Sequence, residues 1–207
     1  MFDFLKQLTD PQSIIEYGGF WFLLFIIFAE TGLLIGFFLP GDNLIFISGL
    51  LCAVKPNLLN VSFPVLILSM MLSAIIGNVF GFWFGKKAGS GLYEREDSFL
   101  FKKKHLEATK TFYEKHGGKT LIVGRFLPII RTFAPILAGV INIKFSIFML
   151  YNIIGAVAWI GSIGTIAFYL GNQFPQVQNY LGYIFMALII LTALPIIGSY
   201  IKNRKRI

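Results

Sequence analysis

Residues 120–143, TLIVGRFLPIIRTFAPILAGVINI, are largely apolar, but they contain two arginines and two prolines. Residues 30–42, ETGLLIGFFLPGD, have a similar character and carry a carboxylate at each end. Proline interrupts a helix because it lacks a backbone N–H and its ring clashes with the preceding turn. The two stretches therefore predict broken apolar helices, one acidic and one basic.

The composition of the whole chain indicates where such stretches can be buried. The chain has 207 residues, of which 56% are hydrophobic and 14% are charged, and its mean hydropathy is +0.74. Soluble domains are typically about 45–50% apolar and about 25% charged. A soluble core of this size cannot enclose so many Phe, Ile and Leu side chains. We therefore expect a single integral membrane domain over residues 1–207, with the bilayer as solvent for much of its surface.

Charge and hydropathy divide this domain into segments. Residues 86–119 are rich in Lys and Arg and are predicted to form a basic cytoplasmic loop that includes a surface helix. The other predicted segments are an amphipathic interfacial helix at 1–16, a first half at 17–85 with a broken segment at about 30–54, a second half at 120–171 with a broken segment at 120–143, and a last transmembrane helix at 180–201. Uninterrupted spans are expected at 61–85, 145–171 and 180–201.

The net charge of +8 helps to set the topology. The loop at 86–119 and the tail at 202–206 are the strongest basic clusters, so both are expected in the cytoplasm. Both stay there if residues 120–143 enter the membrane and return to the same side. The stretch 30–54 would then re-enter from the outer face. Two broken segments in corresponding places predict an all-α polytopic membrane protein built as an inverted repeat, with two re-entrant segments that face each other.

Four charges lie inside these broken segments: Glu30, Asp42, Arg125 and Arg131. Each charge costs about 2.5–3.5 kcal/mol at the centre of a membrane helix on insertion scales. Because the two acids and the two bases lie in different segments, we expect them to pair across the interior. The alternative is purely structural, with the acids at the interfaces and the arginines snorkelling to the surface.

These residues also carry a family resemblance. The sequence resembles the DedA family of bacterial membrane proteins, which contain the SNARE-associated or VTT domain, over about residues 17–171. The motifs are Glu30-Thr31-Gly32, Phe38-Leu39-Pro40-Gly41-Asp42, Gly124 through Pro135, Ala138-Gly139, Gly155-Ala156 and Trp159. One departure is Asn78, where many members of the family have Asp.

The resemblance implies a lipid transporter, either a flippase or a scramblase, in the bacterial cytoplasmic (inner) membrane, with a cytoplasmic C-terminus. Its substrate would be a phosphate-bearing lipid such as undecaprenyl phosphate or a phospholipid, and the family is linked to the proton motive force and to envelope integrity. The functional acids and arginines of the family match the four charges named above. Arg125 and Arg131 are candidates to bind the phosphate headgroup, since guanidinium binds phosphate in bidentate fashion. Glu30 and Asp42 are candidates for proton coupling.

Backbone breaks are expected to line the same site, because helix ends leave unpaired groups that can coordinate ions or phosphates. The candidates are Pro40, Gly41, Pro128, Pro135 and Gly139. Asn152 is a further candidate for a polar contact there, although an interhelical hydrogen bond is the simpler interpretation.

Other functions stay open on the sequence alone. A proton- or ion-coupled transporter of a small solute would use the same four charges. A further alternative is an assembly factor that transports nothing. An enzyme is not expected, because the only histidines, His105 and His116, lie in the basic loop. We expect no cofactor, no metal and no nucleic acid, and the partners to be anionic membrane lipids and protons, with a homo-oligomer as an open option.

Overall fold

The computed structural model describes residues 11–33, 41–94 and 128–176. Within these ranges the chain is helical and has no strand, which confirms the all-α prediction for this part of the chain. The helices are α1 (Pro11–Gly32), α2 (Gly41–Val54), α3 (Pro56–Leu59), α4 (Phe63–Glu94), α5 (Pro128–Val140) and α6 (Phe145–Gln173).

Two of these helices are apolar and long enough to cross a bilayer. They are Phe63–Lys87, the apolar part of α4 with 25 residues, and α6 with 29 residues. At 1.5 Å per residue they measure about 38 and 44 Å, against about 30 Å for the hydrocarbon core. Their bounds agree with the predicted spans at 61–85 and 145–171, although α4 continues as a helix to Glu94.

The helices from the two broken stretches are much shorter. α2 has 14 residues and α5 has 13, so each is only about 20 Å long and cannot cross the hydrocarbon core alone. The residues that would complete or turn these segments, 34–40 and 95–127, lie outside the described part of the chain. Re-entry and the inverted repeat therefore stay predictions, as do the basic loop beyond Glu94 and the last span at 180–201.

Local sequence explains most of the helix starts. α5 begins at Pro128, where the fixed φ of proline suits a first helical position and its missing N–H is not needed. α3 likewise begins at a proline, and it ends at Leu59, just before Asn60, which has left-handed backbone angles. Asn142 has the same conformation in the turn between α5 and α6. Asparagine tolerates this conformation better than most residues, so both turns carry suitable residues.

α2 lies at the centre of the described structure. Most of its side chains are buried, and it packs against α6 and α1. The main apolar cluster combines these three helices with the first half of α4; its fully buried members include Leu23, Ile27, Leu44, Leu50, Leu66, Met70 and Ile160. Large apolar side chains also cover the outside, among them Trp21, Phe25, Leu72, Ile76, Phe80 and Val157, as expected for a lipid-facing surface.

A stripe of glycines brings α4 close to α1 and α5. Gly77 lies against the backbone of Gly32 in α1, and Gly85 lies against the backbone of Ile136 in α5. A methyl group at Gly85 would overlap the carbonyl of Ile136, so the two helices can approach this closely only because the side chain is absent. This packing places the end of α1 and the second half of α5 on the same face of α4.

Candidate functional site

Arg131 is the centre of a buried cluster of charges. Its Nη1 donates to Asp42 Oδ1 at 2.5 Å, and its Nη2 donates to Glu30 Oε1. The three residues come from three helices, α1, α2 and α5. We call Glu30, Asp42 and Arg131 the charge triad.

The triad forms where three helix ends meet. Glu30 lies in the last turn of α1, Asp42 in the first turn of α2 and Arg131 in the first turn of α5. An aspartate in a first turn interacts favourably with the positive end of the helix dipole. Because the breaks fall at these ends, the broken stretches bring their charges together.

Burial within the triad is uneven. The side chains of Glu30 and Arg131 are 2% and 3% exposed, whereas that of Asp42 is 26% exposed. When all three groups are ionised, their charges sum to −1. Within the described residues, Glu30 Oε2 and Arg131 Nε are buried without a hydrogen-bond partner. The triad thus has a buried end at Glu30 and Arg131 and a partly exposed end at Asp42. At the buried end, both charged groups have hydrogen-bonding capacity that no described residue uses.

Gly41 lies directly against the carboxylate of Glu30. A Cβ atom built at Gly41 would overlap Glu30 Oε2, so any other residue at this position must displace the acid. The glycine that the sequence predicted to line the site therefore does contact a triad residue, and it does so through its backbone.

Trp159 of α6 completes the cluster. Its Nε1–H donates to Asp42 Oδ1 at 2.9 Å, and the Cζ atom of Arg131 lies 4.4 Å from the centroid of its ring. Its side chain is 1% exposed. Sequence reasoning used this tryptophan only as part of a motif and assigned it no place in the site. The available signal was its position midway along α6 (Phe145–Gln173), far from the interfaces where membrane tryptophans usually lie.

The remaining candidates occupy other places. Pro135 lies inside α5, which continues across it instead of ending there. Because proline has no N–H, the helical bond to the carbonyl of Arg131, four residues earlier, is not made. Gly139 packs against the backbone of Phe82 and Lys86 in α4.

Pro128 starts α5 and thereby places Arg131 in its first turn. Arg125 and Pro40, the last of the predicted site residues, lie outside the described ranges.

Asn152 takes part in a second buried polar contact, between α6 and α4. Asn78 Nδ2 donates to Asn152 Oδ1 at 2.9 Å, and Asn152 Nδ2 donates to the carbonyl of Ile75 at 3.2 Å. Both asparagines are buried, at 3% and 1% exposure. These contacts join two long helices. We call Asn78 and Asn152 the amide pair.

A model of the VTT domain matches residues 19–173, a range that includes the triad, the amide pair and Trp159. The chain belongs to the DedA family. It is similar to the protein DedA of Escherichia coli strain K12, with 38% identity over 196 residues that cover 94% of this chain and 88% of that protein. The family predicted from the sequence motifs is thereby confirmed.

Other DedA family relatives agree with a membrane location. The inner membrane protein YqjA of Escherichia coli strain K12 is 31% identical over 172 residues, which cover 81% of this chain and 73% of that protein. An uncharacterized membrane protein of Mycobacterium tuberculosis strain H37Rv, Rv0364, is 36% identical over 177 residues, covering 86% and 76%. No solved structure matches the chain. Together with helices that can span a bilayer, these relatives identify this DedA family member as a membrane protein.

Proposed function

We propose that this protein moves a phosphate-bearing lipid between the two leaflets, and that Arg131 binds the headgroup. The observation that carries this proposal is the sharing of one nearly fully buried guanidinium by two carboxylates, Glu30 and Asp42. Buried charges inside membrane proteins are costly and usually mark substrate or ion pathways. Guanidinium is also the side chain best shaped for two-point binding of a phosphate.

The chemistry would be an exchange of partners on Arg131. In the resting arrangement its two Nη groups are occupied by the carboxylates, while Nε has no hydrogen-bond partner among the described residues. An arriving phosphate would bind the free N–H and replace one carboxylate. No covalent step is needed. The ion pair between Arg131 and the phosphate replaces the ion pair that Arg131 loses with the carboxylate.

The net charge of the triad links this exchange of partners to the binding of a proton. The ionised triad already has a charge of −1, so a phosphate anion would add further negative charge in a poorly hydrated interior. Protonation of the displaced carboxylate, Glu30 or Asp42, removes one negative charge at that moment. Arg125 is the predicted second cation for the same headgroup. Release of the lipid would free the proton and restore the triad.

The uneven burial of the triad supports a lipid rather than a fully enclosed solute. A lipid keeps its acyl chains in the bilayer while its headgroup enters the protein, so the site must open at one side. Asp42, with 26% exposure, lies at the open end, and Glu30 lies at the closed end. The helix that contacts Asp42, α6, has exposed apolar side chains such as Ile154 and Val157, which suit acyl chains.

The test is a lipid movement assay with purified protein in vesicles. Labelled phosphatidylglycerol is followed as it passes from the inner to the outer leaflet, and labelled glucosylceramide serves as a lipid without phosphate. We expect the protein to accelerate the first lipid only. Arg131→Lys should slow that movement, because lysine cannot make a two-point contact. Lys86→Gln is the control, since Lys86 is an exposed charge on α4 outside the triad.

Two results would overturn the proposal. One is equal movement of both lipids by the wild type and by Arg131→Lys, and the other is transport of a small charged solute without lipid movement. Proton coupling is tested separately with an imposed pH gradient. The gradient should change the wild-type rate and leave the rate of Glu30→Gln/Asp42→Asn unchanged.

A further inference from the structure

We propose that Trp159 is a positioning residue that holds Asp42 and Arg131 in the arrangement that accepts a phosphate headgroup. The nature of the ligand rests on the function proposed above. Trp159 contacts one acid and the base of the triad, and it does so with two different parts of its side chain.

The indole N–H orients the carboxylate. Asp42 Oδ1 accepts two hydrogen bonds, one from Trp159 at 2.9 Å and one from Arg131 at 2.5 Å. These two bonds fix the plane of the carboxylate at the exposed end of the triad. When the guanidinium turns to a phosphate, the bond from Trp159 remains, so Asp42 is held nearby and can take Arg131 back after release.

The indole ring orients the guanidinium. The Cζ atom of Arg131 lies over the ring at 4.4 Å, a favourable cation–π distance. Stacking on a ring face uses none of the guanidinium N–H groups. The ring can therefore hold the plane of Arg131 while its donors pass from carboxylate to phosphate.

The other tryptophans provide matched controls. The sequence contains three, and the remaining two, Trp21 and Trp83, are 79% and 52% exposed. Trp83 also lies beside a cation, with Lys86 Nζ at 5.3 Å from its ring, but at an exposed position. A change from Trp to Phe at position 83 thus repeats the chemical change at position 159 without touching the triad.

The first experiment measures the lipid mole fraction that gives half-maximal movement, together with the maximal rate. Trp159→Phe keeps an aromatic ring but loses the hydrogen bond to Asp42. The free energy of one hydrogen bond to a charged group corresponds to about a tenfold change in an equilibrium constant. We expect that shift in the half-maximal fraction for Trp159→Phe, a larger one for Trp159→Leu and none for Trp83→Phe. Equal values for Trp159→Phe and Trp83→Phe would overturn the proposal.

The second experiment leaves Trp159 in place and uses it as a reporter. In Trp21→Phe/Trp83→Phe, Trp159 is the only tryptophan, and the protein is titrated in detergent with dioctanoyl phosphatidic acid. We expect a saturable change in emission that dioctanoylglycerol, which lacks the phosphate, does not cause. Arg131→Lys in the same background should abolish the response. The proposal would be overturned if phosphatidic acid caused no change in the emission of Trp21→Phe/Trp83→Phe, which keeps Arg131.

The two readouts also separate this inference from the proposed function. If the parent protein moves no lipid but its Trp159 emission responds to phosphatidic acid, lipid movement fails and the positioning role stands. If the parent moves lipid and Trp159→Phe moves it equally well, lipid movement stands and the positioning role fails.

Discussion

The charge triad and the amide pair both join helices through polar side chains, and they differ in how completely their hydrogen bonds are satisfied. The amide pair joins α4 and α6 through neutral groups: Asn78 donates to Asn152, and Asn152 donates to the backbone carbonyl of Ile75. The charge triad joins three helices through charges, yet a buried oxygen of Glu30 and a buried N–H of Arg131 find no hydrogen-bond partner among the residues that the structure describes. A satisfied neutral pair serves as a lock between helices. An incompletely satisfied charged cluster has capacity left for a ligand, at a cost to stability.

The largest expected effect is that of Arg131→Met, which leaves the buried carboxylate of Glu30 and the partly exposed carboxylate of Asp42 without their cation. Removing one partner of a buried ion pair typically costs about 3–5 kcal/mol. We expect a large drop in the thermal unfolding temperature in detergent and loss of lipid movement. Adding Glu30→Gln and Asp42→Asn to Arg131→Met should restore much of the stability but no movement. If Arg131→Met alone is as stable as the wild type, the ion pairs of the triad do not contribute to the stability of the fold.

Gly41→Ala should have the next largest effect. Its Cβ would overlap the carboxylate of Glu30, and overpacking of this kind costs about 1–3 kcal/mol. Gly161→Ala is the matched control, because its Cβ would meet only the flexible end of Met71 at 3.3 Å. We expect a lower unfolding temperature and slower lipid movement for Gly41→Ala. Adding Glu30→Ala to Gly41→Ala should recover part of the stability, because the overlapping carboxylate is then absent. Similar unfolding temperatures for the two glycine variants would show that the acid has room to move.

A smaller effect is expected in the amide pair. Asn78→Leu removes the donor to Asn152 Oδ1, and a buried polar group without its partner costs about 1–3 kcal/mol. The variant should unfold at a lower temperature but move lipid normally at temperatures where it is folded. Asn78→Leu/Asn152→Leu should regain part of the loss. A specific loss of lipid movement in the folded single variant would place the amide pair in the transport pathway together with the charge triad.

The smallest effect is expected at the exposed cation of α4. Lys86→Gln removes a charge that lies over the ring of Trp83 at the protein surface. Surface substitutions usually change stability by no more than about 0.5 kcal/mol. Both the unfolding temperature and the lipid movement should match the wild type. A marked loss would mean that charge at the surface of α4 matters as much as charge in the triad.

Composition, motifs and charge positions are enough to predict the class of protein, the family and the four charges of the candidate site. Hydropathy requires a membrane protein, since no soluble core could enclose this much apolar surface, and the motifs identify the DedA family. The cost of a charge in an apolar interior also predicts that acids and bases meet, and the structure brings Glu30 and Asp42 to Arg131. Arg125, the other predicted base, lies outside the described ranges.

The contacts between side chains of different helices could not be predicted in this way and depend on how the helices pack. Asp42 meets Arg131 across 89 residues of sequence and Trp159 across 117, and Asn152 meets Asn78 across 74. The helical period relates residues three and four positions apart, but it carries no information about partners on other helices. Those partners follow from how closely α4 approaches α1 and α5 and from where α6 packs on α2. The role of Trp159 therefore became visible only when the packed helices placed its ring beneath the guanidinium.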